Sequence, residues 1–189
     1  MRISMTAMAA IALALAGAAQ ASAANLLTNG SFETGDFSGW NQFGDTSYTG
    51  IASSLYQPST DGAFQAAFGP IFGYGGISQA VGSAGNAYTV SFDLGNVDGD
   101  GASVVFGGQT LLTNPPVQGF THYSFTVTAL DNSGLSFSFF NPPSYYTLDN
   151  VSVQAGAVPE PASWALMLGG FGAIGGALRS RRKAAVSFA

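Results

Sequence analysis

Residues 87–94 read AYTVSFDL. Tyr88, Val90, Phe92 and Leu94 fall on one side of this alternation; Thr89, Ser91 and Asp93 fall on the other. A period of two turns one apolar face toward a core and leaves the opposite face polar, which marks a β-strand rather than a helix. The pattern returns at 121–128, with Tyr123, Phe125 and Val127 inward, and at 135–139, where Leu135, Phe137 and Phe139 alternate with Ser136 and Ser138. Segments 63–68, 77–81, 102–106 and 147–153 are further strand candidates. Turn-forming residues separate them: 82–86, 98–101, Asn114-Pro115-Pro116, 131–134 and Asn141-Pro142-Pro143. Short strands at this spacing, without a helical period or an internal repeat, predict an all-β fold, a single antiparallel β-sandwich.

Outward from this region the chain changes character twice. Residues 1–23 carry Arg2, an apolar stretch over 7–19 and the small-residue site Ala21-Ser22-Ala23. That order is expected of a secretory signal peptide. Near the other end, an apolar run of about 17 residues (162–178) is followed by Arg179, Arg181, Arg182 and Lys183. As a helix it would extend roughly 25 Å, short for a bilayer core, with Trp164 at one interface and the basic cluster at the cytoplasmic one. Gly172 and Gly176 stand at GxxxG spacing within it. The expected organisation is a signal peptide (1–23), a sandwich (24–155), a linker (156–161), a transmembrane helix (162–178) and a basic cytoplasmic tail (179–189).

Charge is distributed in the same segmented way. All five Lys and Arg residues lie in the two terminal segments, so the region between them holds nine carboxylates and no Lys or Arg. Nucleic acid, anionic membrane surfaces and strongly acidic polysaccharides would be repelled. A carboxylate buried in this region must be satisfied by amides, hydroxyls, water or a metal ion. The chain has no cysteine, which excludes disulfides and thiol chemistry.

The end of the chain, 158–189, reads VPEPASWALMLGGFGAIGGALRSRRKAAVSFA. It closely resembles the PEP-CTERM sorting signal of Gram-negative bacteria. The resemblance rests on Pro159, Glu160, Pro161, Trp164, the glycine-rich apolar run and the basic residues Arg179, Arg181 and Arg182. It implies recognition by an exosortase, cleavage near 159–161 and passage from an inner-membrane-anchored form in the periplasm to the cell surface or exterior. An ordinary C-terminal anchor with a proline linker is the alternative.

Three segments of the central region carry a second resemblance: NLLTNGSFETGDFSGW (25–40), ISQAVGSAGNAYTVSF (77–92) and YTLDNVSV (146–153). In that order they look like jelly-roll carbohydrate-binding modules of the galactose-binding-like superfamily. The resemblance implies a jelly roll, and a structural calcium bound with the help of Glu33 and Asp149. Calcium takes mixed shells of carboxylate and carbonyl oxygen, and would neutralise acids that lack cationic partners. The alternative is that both acids cap backbone amides in turns.

Other candidates are weaker. The 96–101 loop, NVDGDG, has the first half of a calcium-loop spacing but Gly107 where a closing acid belongs, so a plain Asp-Gly turn is the better reading. His122 is the single histidine and is expected to face solvent; alone it makes neither a zinc site nor a triad. Trp40 is expected to pack. Tyr48, Tyr56, Phe72, Tyr74, Tyr145 and Tyr146 lie at or near turns, where a sugar ring can stack on an exposed aromatic face. Tyr145 and Tyr146, just beyond Asn141-Pro142-Pro143, are the leading glycan-binding candidates, with one of the pair expected to turn inward. The expected function is non-catalytic: an exported surface or matrix protein that binds a neutral polysaccharide. The alternatives are a structural or self-associating surface protein without a sugar site and, more distantly, a glycoside hydrolase.

Overall fold

The computed structural model describes residues 23–55, 57–97, 101–156, 167–175 and 179. Its strands form two five-stranded antiparallel sheets and one small hairpin. Sheet A runs β1 (Asn41–Gly44), β6 (Gly75–Gln79), β11 (Leu135–Phe139), β8 (Ala102–Phe106), β9 (Gln109–Thr113). Sheet B runs β10 (Gln118–Thr128), β7 (Ala87–Asn96), β12 (Tyr146–Ala155), β5 (Gln65–Phe68), β2 (Thr49–Ala52). The hairpin pairs β3 (Ser54–Leu55) with β4 (Gln57–Pro58).

The alternating residues named from sequence fill the space between the sheets. In sheet A, Phe137 pairs with Ile77 on one side and Val104 on the other. In sheet B, Leu148 pairs with Leu94 and Ala66. All six are fully or almost fully buried, each large one stabilising the fold by about 1.5–3 kcal/mol relative to exposure. Aromatic rings join the layers. Phe68 lies 4.7 Å from Phe139, and Phe92 meets Phe137 edge-on at 5.2 Å. Every buried hydrophobic among the described residues falls between Leu27 and Val153, so the sandwich has a complete core of its own.

The final strand departs from strict alternation. Leu148, Val151 and Val153 all face the core, although Leu148 and Val151 are three residues apart. A bulge between Asp149 and Ser152 absorbs the extra residue, with Asn150 at φ 51°. Asp149, next to core-facing Leu148 and paired with Asp93, lies on the outer face of sheet B by ordinary alternation, and the bulge returns Val151 to the core.

Part of that outer face is covered. Gln57 donates from Nε2 to Thr147 Oγ1 at 2.9 Å and accepts from the Phe120 amide at 2.9 Å. Gln65 donates to the Gln57 carbonyl at 3.0 Å. Gly95 makes room for this strap: a Cβ there would sit 1.9 Å from Gln57 Nε2. At the chain's entry, Asn25 donates to the Val151 carbonyl and accepts from the Val153 amide, clasping the start of the sandwich to β12.

The predicted signal peptide falls outside the described residues apart from Ala23. Within the predicted membrane segment, residues 167–175 are helical and exposed. No helix among the described residues is long and apolar enough to cross a membrane.

Candidate functional site

Three loops meet at the end of the sandwich where β12 begins. The β1–β2 turn supplies Tyr48, the β5–β6 loop supplies Gly69 and Ile71, and the β11–β12 loop supplies Pro143, Ser144 and Tyr145. Together they line a groove of about 230 Å³. Gly69 is required by close approach, because a Cβ at this position would lie 2.7 Å from the Tyr145 ring. Tyr48 holds a left-handed backbone, φ 53°, and leaves its side chain 64 % exposed. Such a conformation is uncommon for a bulky residue and costs of order 1–3 kcal/mol.

The β5–β6 loop continues into two more exposed rings, Phe72 at 84 % and Tyr74 at 56 %. Tyr74 leans on Phe140, centroids 5.5 Å apart. This apolar loop is held by one carboxylate. Asp45 Oδ2 accepts from the Ile71 amide at 2.9 Å and the Phe72 amide at 2.7 Å, while Oδ1 accepts from the Ser47 amide at 2.9 Å. Hydrogen bonds from Ser47 first, then the Phe72 amide, hold the Asp45 carboxyl down at about 2. A clamped loop presenting Phe72 to solvent is an exposed apolar surface with an anchor beneath it.

Of the two predicted glycan contacts, Tyr145 lies in the groove and Tyr146 does not. Tyr146 is the first residue of β12 and is fully buried, its ring stacked on Phe139 at 4.9 Å. Strand parity turns it into the core, so it cannot meet a ligand. Tyr48 and Ile71 join Tyr145 only in three dimensions, with Phe72 next to Ile71 in the same loop; sequence placed Tyr48, Phe72 and Tyr145 at turns without showing that the turns converge.

Glu33 and Asp149 come together, but around a loop. Asp149 Oδ2 accepts from the amides of Thr60 and Asp61 at 2.7 and 2.9 Å, and Oδ1 accepts from the Asn150 amide at 2.7 Å. Glu33 Oε1 accepts from the amides of Ala63 and Phe64, both at 2.8 Å. The two acids therefore hold successive parts of the 60–64 segment. Burial raises the Asp149 pKa, opposed by the amides of Asp61, Asn150 and Thr60. Asp149's oxygens face amide donors, a setting that favours an anion and opposes a cation. Glu33 Oε2 stays outside these bonds. No group of three or more His, Asp or Glu able to hold a metal ion occurs among the described residues.

Next to Asp149, Asp93 accepts from Thr60 Oγ1 at 2.7 Å and Asn150 Nδ2 at 3.1 Å. His122 Nδ1 lies 2.7 Å from Asp93 Oδ1, and the histidine side chain is 58 % exposed, outward as expected. Sequence missed this partnership because it depends on the β7–β10 register, which sets Asp93 opposite His122. Trp40 packs as expected, 7 % exposed, its indole N–H donating to the Asn29 carbonyl at 3.0 Å. Of the 96–101 loop, Asn96 is buried and contacts the Tyr146 hydroxyl, while 98–100 lie outside the described residues. Tyr56 lies outside them as well, as do Pro159, Glu160, Pro161, Trp164, Arg181 and Arg182; Arg179 is helical and exposed.

The architecture is the jelly-roll sandwich of carbohydrate-binding modules. TmCBM61, a module solved in complex with β-1,4-galactotriose, is 17 % identical, with a TM-score of 0.50 over 70 % of this chain and 99 % of its own. The CBM22-1 xylan-binding domain of Paenibacillus barcinonensis Xyn10C is 16 % identical, with a TM-score of 0.50 over 72 % of this chain and 97 % of its own. The enzymatically active domain of bacteriophage CBA120 tailspike protein 4 is 15 % identical, with a TM-score of 0.54 over 70 % of this chain; the match spans 21 % of the tailspike chain. At these identities the likeness is one of fold. No curated protein matches the chain.

The sorting signal is a separate finding. Residues 157–183 match the PEP-CTERM protein-sorting motif. The chain is thus a carbohydrate-binding-module-like sandwich that carries this motif, which implies exosortase processing and export.

Proposed function

We propose that the protein is an exported surface or matrix component whose sandwich binds a neutral polysaccharide, without catalysis, in the loop-end groove around Tyr145. The observation that carries this reading is the convergence of Tyr48, Ile71 and Tyr145 on one groove, beside a clamped loop that exposes Phe72. Sugar rings stack their apolar faces on such rings while nearby polar groups take their hydroxyls. The groove lining contains Ser144 and backbone but no carboxylate. Glycoside hydrolysis commonly needs a pair of carboxyl groups flanking the bond, so the lining supports binding over cleavage. Exosortase action near 159–161 would release the sandwich from its membrane anchor, with the signal peptide removed after Ala23.

A glycan array probed with residues 24–156 tests the reading. Binding to one or more neutral polysaccharides is expected, with loss in Tyr145→Ala and weakening in Phe72→Ala at unchanged melting temperature. Uniformly blank arrays, or full binding by Tyr145→Ala, would overturn it. Calcium at Glu33 and Asp149 stays part of the proposal, with Asp149 required to exchange amide donors for the ion. Calcium added to metal-free protein should raise the melting temperature, and chelator should reverse the rise. An unchanged transition excludes the ion from this site.

A further inference from the structure

Sheet B ends in an unusual strand. β10 is 11 residues long and, among the described residues, β7 is its one strand neighbour. Its pairing with β7 is continuous from Thr121 to Thr128. The other sheet edges are shorter: β1 and β2 have four residues each, and β9 has five with a register shift against β8. A long edge exposes a row of backbone donors and acceptors, and proteins commonly blunt it with lysine, proline or a bulge. Residues 121–127, THYSFTV, contain none of these.

The side chains on this edge are suited to a copy of themselves. The outward face carries exposed Ser124, Thr126 and Thr128. The inward face carries Tyr123 and Phe125, half-buried, their rings parallel with centroids 6.5 Å apart. Leu111 and Leu112 of β9 are likewise half-buried against the core. Gln109 of β9 donates to the Thr128 carbonyl, so β9 flanks the same edge. Charge favours this edge over other surfaces. Two copies of a sandwich with nine carboxylates and no Lys or Arg repel each other. β10 itself contains no acid, and Asp93 beneath it is partnered by His122.

We propose that two copies of the sandwich pair through β10, antiparallel about a two-fold axis at Ser124, merging their B sheets into one. This register sets Tyr123 opposite the partner's Phe125 on the inner face, and on the outer face sets Ser124 opposite its own copy and Thr126 opposite the partner's His122. Aromatic and hydroxyl cross-strand pairs of this kind each add to sheet stability. A two-fold contact closes on itself, so the product is a dimer rather than a fibre. The proposal is independent of the glycan groove, which is built from other loops.

The sandwich, residues 24–156, has its own core and serves for the test. Sedimentation over a concentration series should show a monomer–dimer equilibrium. Thr126→Lys, a charge set on the edge, should weaken it by at least about tenfold while leaving unchanged the melting temperature measured at concentrations where both proteins are monomers. Because the chain has no cysteine, Ser124→Cys gives a clean second readout. Facing Cα atoms at about 4.5–5.5 Å on the axis suit a disulfide, so mild oxidation should yield a covalent dimer. Ser83→Cys, in an exposed turn, should not cross-link efficiently. A monomer at every concentration, a dimer indifferent to Thr126→Lys, or equal cross-linking at Ser83 and Ser124 would overturn the proposal.

Discussion

Asp149 shows how a chain region without Lys or Arg accommodates a buried acid. It is fully buried, and its carboxylate is held by three backbone amides, with the Thr60 hydroxyl at 3.2 Å. Burial still dominates and raises its pKa. The sign of the linkage follows: the folded state takes up a proton before the unfolded one does. The resulting stabilisation is fully present below the ordinary carboxylate pKa and lost as pH rises through the raised value. Asp149→Asn should remove that part of the pH dependence, read by urea unfolding across the acidic range. Asp149→Ala strands the amides of Thr60 and Asp61 and should lower stability at neutral pH by about 1–3 kcal/mol. An Asp149→Ala protein as stable as the parent would show that this carboxylate does not hold the strap in place.

The β5–β6 loop makes the corresponding point for an element. It has no strand of its own, yet Asp45 pins two of its amides and thereby holds Phe72 outward. The Asp45 carboxyl is depressed to about 2, so the clamp is at full strength above the ordinary carboxylate range and fails only as pH falls toward that value. Hydrogen exchange should show the Ile71 and Phe72 amides protected down to about pH 3 and exposed in Asp45→Ala at any pH. This anchor was not legible in sequence, since it joins a β1–β2 residue to a loop some 26 residues on. What was legible were the elements with strict alternation: β7, β8, β10 and β11 lie where the two-residue period predicts them. The elements without such a period, β1, β2, β9 and the β3–β4 hairpin, were missed. They are edges and straps, whose residues are chosen for local contacts such as Gln57 to Thr147 rather than for one apolar face. The bulge in β12 leaves a trace, the three-residue step from Leu148 to Val151, but the placing of Asp149 beside Asp93 needs the neighbouring strand. That one of Tyr145 and Tyr146 turns inward was legible, because parity separates adjacent residues, and it is Tyr146 that does so.

At the scale of the whole molecule, the separation of charge between termini and sandwich governs what can be bound. A groove lined by aromatics and backbone, on a body without Lys or Arg, gains nothing from counter-ion release. Affinity for a neutral polysaccharide should therefore change little as salt rises from low to physiological levels, whereas a steep loss of affinity would point to a charged ligand and a different surface. The strap over sheet B adds a second constraint, since it covers the outer face around Thr147 and Gln65, while the loop end presents Tyr48 and Phe72 to solvent. The course of β12 then sets the geometry of presentation. The ten-residue strand starts at Tyr146, beside the groove, and ends at Ala155, roughly 30 Å away. Asn25 is clasped to its far half, so the chain enters and leaves the sandwich at one pole and the groove opens at the other. A tether drawn from Gly156 would therefore pull from the pole opposite the groove, leaving the mouth turned away from its point of attachment.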